Sequence, residues 1–141
     1  MCLNELLLFD YIRNLRRKIL RKMVEGKTNS EALGEVIVVE ADDGTTALKE
    51  LQRAMETDGK GFDIVLIDYV MTAMNGPEAV KIMRNDLRYS GTVIGVTGNA
   101  LPEDIFFFES SGADCVVTKP LTNKKLMQAI DMARNKSRSL P

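Results

Sequence analysis

The chain contains no histidine and no tryptophan. Without histidine it lacks the commonest general base, the commonest metal ligand and any imidazole that could carry a phosphoryl group. Its two cysteines, Cys2 and Cys115, are too few for a disulfide framework. Cys115 lies in an apolar run and reads as a small buried hydrophobe, so a reducing compartment is expected. Long apolar runs are also missing. Leu6-Leu7-Leu8-Phe9 is broken by Asp10 and Arg13, so neither a secretory signal nor a membrane span is expected. Charge of one sign is not in excess: the formal net charge is -1, which supplies no global field toward nucleic acid or a membrane. No glycine-rich cradle follows the first apolar run, which argues against nucleotide binding. Internal repeats, low-complexity tracts and interdomain linkers are absent as well.

What is present suits one globular domain. The 141 residues are 45% apolar and 28% charged, enough to bury a core. Short apolar, β-branched runs alternate with stretches of helical period. Strands are expected at Glu5–Phe9, Glu35–Val39, Asp63–Ile67, Thr92–Val96 and Asp114–Val117. A helix is expected after each. Leu15, Ile19, Leu20 and Met23 share a face of the first, between about residues 13 and 25. Ala47, Leu48, Leu51 and Met55 mark the second, and Val80 and Met83 the third, opened by Pro77. The fourth runs from about Pro102 to Gly112, and the fifth starts near Thr122 and carries Leu126, Ile130 and Met132. This order predicts an α/β fold, a doubly wound five-stranded parallel sheet with five helices.

In such folds the site lies beyond the carboxyl ends of the strands. Three polar residues stand there: Asp68 after the third strand, Thr97 after the fourth and Lys119 after the fifth. A carboxylate can attack phosphorus and hold it as an acyl phosphate. That transfer needs charge neutralisation more than acid–base work. Lys119 offers a fixed positive charge, Thr97 a hydrogen-bond donor, and a divalent metal would normally supply the rest.

The resemblance to a known family now becomes specific. Asp68-Tyr69-Val70-Met71-Thr72-Ala73-Met74-Asn75-Gly76 resembles the phosphoacceptor loop of response-regulator receiver domains. Val96-Thr97-Gly98-Asn99-Ala100 resembles their switch-hydroxyl segment. Gly112-Ala113-Asp114 through Thr118-Lys119-Pro120-Leu121 resembles their lysine segment, with its typically cis Lys119–Pro120 bond. Val39-Glu40-Ala41-Asp42-Asp43-Gly44, with Ala47-Leu48, is similar to their second strand and the start of the second helix. The likeness covers about residues 14–133, and residues 1–137 are expected to form one receiver domain with a tail at 138–141. It implies a flavodoxin-like fold and a phosphorelay role in two-component signalling. Asp68 would take a phosphoryl group from the phosphohistidine of a histidine kinase or histidine phosphotransfer protein, in the cytoplasm. It also implies Mg2+ held by Asp68, the backbone carbonyl of Val70 and Asp10. Apart from self-catalysed phosphotransfer and dephosphorylation, no enzyme activity is implied, nor any contact with nucleic acid or membrane.

Departures from the family pattern bear on the metal. The family carries an acidic pair at the end of its first strand, where this chain has Leu8-Phe9-Asp10-Tyr11-Ile12. One alignment places the pair at Tyr11 and Ile12; the other makes Asp10 the first acid and leaves Tyr11 at the second position, at the expense of helix phase. At most one acid remains, which should weaken magnesium. Either the domain is degenerate, or the first dozen residues are not its native start. The second is preferred here, because the downstream motifs are intact. Thr72 stands where proline is usual, and Asn75 replaces the commoner aspartate. Val116 occupies the place of an aromatic switch, as in receivers attached to hybrid sensor kinases.

Blander readings stand beside these. Asp68 alone could be a turn residue, Thr97 a cap and Lys119 a solvated surface residue. Asp10 could equally cap the first helix. Asp42-Asp43, before Gly44 and a helix, reads as turn and N-cap. Arg13, Arg16, Arg17, Lys18, Arg21 and Lys22 alternate with an apolar face and read as a solvated helix surface. Phe106-Phe107-Phe108 must be partly core, and the remainder could face a partner. A haloacid-dehalogenase-type phosphohydrolase would need a second carboxylate at residue 70, where the chain has valine. A serious rival is a pseudo-receiver: the same fold, unphosphorylated, used as a protein-binding module.

Overall fold

A computed structural model describes residues 5–9 and 37–138. Five parallel strands form one sheet: β1 (Glu5–Phe9), β2 (Ile37–Ala41), β3 (Ile64–Asp68), β4 (Thr92–Thr97) and β5 (Cys115–Thr118), in the order β2-β1-β3-β4-β5. Four helices are described: α1 (Gly44–Asp58), α2 (Gly76–Asn85), α3 (Pro102–Ser111) and α4 (Asn123–Arg138). The helix expected at residues 13–25, and Asp10 with it, lie outside the described residues.

Alternation along β3 explains the layering. Ile64 and Leu66 face one way, into a cluster with Ile94, Cys115 and the α4 residues Leu126, Ala129, Ile130 and Ala133. Val65 and Ile67 face the other, into a larger cluster with Ala47 and Leu51 of α1, Ala79, Val80 and Met83 of α2, and Phe108 of α3. Both faces are therefore covered, and β3 is buried at every position, as the unbroken apolar run requires. The fold is α/β and doubly wound.

Local chemistry sets the helix ends. Asp43 caps α1, its carboxylate accepting from Thr46 N at 2.8 Å, so the pair Asp42-Asp43 serves a turn and cap as expected. Gly59 closes α1 in the left-handed region at φ 76, where a Cβ would be strained. Asn75 caps α2 in a reciprocal box with Glu78, and Pro77 sits in the first turn. The unusual asparagine thus does a cap's work as well as an aspartate would.

Several expected boundaries move. β3, β4 and β5 each end one residue later than their apolar runs, at Asp68, Thr97 and Thr118, because the backbone pairing continues: Asp68 pairs with Val96, and Thr97 with Thr118. β2 lies two residues later than expected, since its ladder with β1 carries Ala41 opposite Phe9. α4 starts at Asn123, with Thr122 Oγ1 accepting from Lys125 N at 3.2 Å. Met132 does not join the core; it is 63% exposed, and Ala129 and Ala133 take the buried stripe beside Leu126 and Ile130. Phe108 is fully buried, whereas Phe106 and Phe107 are exposed.

Candidate functional site

Asp68, Thr97 and Lys119 come from β3, β4 and the residue after β5, three neighbours in the sheet. The ladder levels their backbones at one edge: Tyr69 N donates to Val96 O at 2.8 Å, and Lys119 N donates to Thr97 O at 2.8 Å. Threonine arises one strand from the aspartate, but lysine arises two strands away, roughly 10 Å at about 4.8 Å per strand. A four-methylene side chain can span that gap. Lys119 Nζ reaches Asp68 Oδ2 at 2.6 Å, a charge-assisted contact.

Asp68 and Thr97 are the only two buried polar residues among those described, at 5% and 2% exposure. Burying a carboxylate is costly unless it is paired, and the lysine meets that cost. The second oxygen, Oδ1, accepts from Val70 N at 3.3 Å. The Thr97 hydroxyl faces its own loop, donating to Asn99 O at 3.0 Å while accepting from Asn99 N at 3.2 Å. The acid and the amine are thus in contact, and the hydroxyl beside them is engaged locally.

The loop after Asp68 is held from two sides. Gly76 N donates to Tyr69 O at 2.9 Å, which closes the loop onto the start of α2. Met71 and Met74 lie over Gly44; a Cβ there would come within 2.5 Å of Met74 Cγ. Val70 and Thr72 are exposed, and Ala73 adopts φ 73. The Lys119–Pro120 bond is cis.

Tyr69 is a residue whose part the sequence reading did not raise. Its ring meets Phe108 edge-on at 5.5 Å and 82°. Its phenol is held above the ordinary range, first by desolvation and then by the Asp104 carboxylate. It joins the loop after Asp68 to α3. The only local signal was an aromatic next to the aspartate, and nothing in the sequence pairs residue 69 with residue 108. Val116, at the place of the expected aromatic switch, is half-buried and packs against the same cluster.

For a divalent cation, the described residues offer the Asp68 carboxylate and the Val70 carbonyl. Both are hard oxygens of the kind magnesium takes together with phosphate and water, so the donor chemistry fits. No group of three or more acidic, histidine or cysteine residues able to hold a metal occurs among the described residues. No described helix is long and apolar enough to cross a membrane.

Known proteins resemble this chain in sequence and in fold. Residues 14–131 match the family described as response regulator receiver domain. The chain is 30% identical to the rice two-component response regulator ORR41 (Oryza sativa subsp. japonica) over 107 residues, covering 76% of this chain and 80% of that one. It is 31% identical to the chemotaxis protein CheY of Pseudomonas aeruginosa over 124 residues, 87% of each chain. Among solved structures, the chemotaxis response regulator CheY4 of Vibrio cholerae superposes with a TM-score of 0.67 at 25% identity, covering 93% of this chain and 98% of that one.

Proposed function

Because the chain belongs to the response regulator receiver domain family, which spans residues 14–131 of it, we propose that Asp68 is its phosphoacceptor. Receiver domains are signalling domains of two-component systems, and this one would take its phosphoryl group from a phosphohistidine. The donor would be a histidine kinase or a histidine-containing phosphotransfer protein, in the cytoplasm. The contact between Lys119 Nζ and the buried Asp68 carboxylate carries this reading.

In the proposed step an Asp68 oxygen forms a bond to phosphorus as the bond to the imidazole nitrogen breaks. The imidazole leaves with the bonding pair and takes up a proton from solvent. Lys119 neutralises charge on the phosphoryl oxygens. The Thr97 hydroxyl exchanges Asn99 O for a phosphoryl oxygen, a rotation that would pull on the loop leading into α3. Asp68, the Val70 carbonyl and Asp10 would hold magnesium, which supplies further charge neutralisation when bound.

A mass increase of one phosphoryl group after incubation with magnesium and acetyl phosphate, lost in Asp68→Asn, is the expected result. A second reading, a pseudo-receiver used as an unphosphorylated binding module, draws on the sequence at residues 10–12, which leaves at most one acid. No mass change under saturating donor, with magnesium present, would favour that module.

A further inference from the structure

β5 is the last strand of the sheet and pairs only with β4 among the described residues. Successive residues of a strand point their backbone groups to opposite sides. Lys119 N turns inward to Thr97 O, so Thr118 turns its carbonyl outward, where no described strand receives it. Lys125 fills that position. Its Nζ donates to Thr118 O at 3.0 Å, to Thr118 Oγ1 at 3.3 Å and to Pro120 O at 3.3 Å. One ammonium thus grips the backbone on both sides of Lys119.

The placement of Lys125 is unusual for a helix start. Thr122 Oγ1 accepts from Lys125 N, which makes Thr122 the cap and Lys125 the third helical residue. That position favours glutamate or glutamine, which would reach back to the cap's own N–H. A cation in the first turn also opposes the helix dipole. Local helix chemistry therefore disfavours lysine here, and its contacts lie instead on the segment that carries the site's amine.

We infer that Lys125 is a positioning residue for the phosphoacceptor site, fixing the backbone of residues 118–120 so that the Lys119 ammonium meets Asp68. The inference rests on the phosphoacceptor reading for its functional meaning, though its geometric content stands apart. A lysine arriving from two strands away has many rotamers, and its reach depends on where its Cα is held. Thr97 O fixes that backbone from the β4 side, and Lys125 fixes it from the open side.

The test uses the full chain and Lys125→Gln, which suits the helix start better than lysine and so should fold. Affinity for beryllofluoride with magnesium is expected to weaken about fivefold, as for a coupled pair, while the thermal midpoint holds or rises. Lys125→Arg should restore most of the affinity. In a Lys119→Ala background, Lys125→Gln should add nothing further. An unchanged affinity in Lys125→Gln, or an equal loss with and without Lys119, would overturn the inference.

A ligand-free measurement separates the two readings. In protein with 13C-labelled aspartate, the Asp68 Cγ signal should move in Lys119→Ala, and move the same way, by less, in Lys125→Gln. A signal that responds to Lys119→Ala but ignores Lys125→Gln refutes the positioning role. A parent protein that gains no phosphoryl group on Asp68 refutes the phosphoacceptor reading instead.

Discussion

Lysine at 119 and threonine at 97 follow from how far each must reach. The amine crosses two strand spacings to touch Asp68, and no shorter cation would do so. Lys119→Ala should therefore leave Asp68 phosphorylatable, more slowly, while removing the conformational response. Amide spectra recorded with and without beryllofluoride would test this, and a response equal to the parent's would count against it. Cys115 offers a separate check. Burial pushes its thiol up to about 11 from an ordinary 9.0. Between those values the folded chain keeps a proton that the unfolded chain releases, so stability falls as pH rises. The expected slope is on the order of 1 kcal/mol per pH unit. Urea midpoints from pH 9 to 11 should fall more steeply for the parent than for Cys115→Ala, and parallel curves would contradict the assignment. The buried Tyr89 phenol is also raised and acts in the same direction in both proteins, so the comparison isolates the thiol. Asp68, Thr97 and Lys119 were legible as candidates in the sequence because Asp68 and Thr97 each end an apolar run and Lys119 stands two residues past one. Arg84 was not. It donates to Gly112 O at 3.0 Å and to Tyr89 O and Gly91 O at 2.8 Å, and pairs with Asp114. Those partners lie up to 30 residues away, so no local pattern announces them.

Among the elements, α3 shows how one helix divides its labour. Phe108 enters a slot made possible by two glycines: a Cβ at Gly95 would lie 2.9 Å from its ring, and one at Gly76 would lie 2.6 Å from its Cζ. Phe106, two residues earlier, is 71% exposed. Phe108→Ala should cost about 3–5 kcal/mol in urea unfolding, and Phe106→Ala less than about 0.5 kcal/mol. Similar losses for both would mean the helix is seated differently. The sequence could say that some of the three phenylalanines had to be core. It could not say which, because a helix with apolar residues at three successive positions has no single apolar stripe. Strand ends were misplaced for a related reason: apolarity marks burial, whereas the ladder is a backbone property that continues through Asp68 and Thr97. Met132 was named with Leu126 and Ile130 as an apolar residue of the last helix, yet it is exposed, and Ala129 and Ala133 complete the buried face.

For the molecule as a whole, the expectation is a site that binds phosphoryl analogues only together with a cation, since Asp68 and the Val70 carbonyl are its hard oxygen donors among the described residues. Beryllofluoride with magnesium should raise the thermal midpoint, and chelation should abolish the rise. By linkage, ligand at a hundred times its dissociation constant adds about 2.7 kcal/mol. A shift that survives chelation would show that the cation is dispensable. Global topology was legible because five apolar runs alternate with helical stretches, a pattern that few arrangements satisfy. The sheet's outer edge has a further consequence. A strand at the edge of a sheet ordinarily invites another chain to add to it, which is a route to aggregation. At Thr118 such a visitor would find the outward carbonyl already taken by an ammonium, and would have to dislodge a charge to form its first rung.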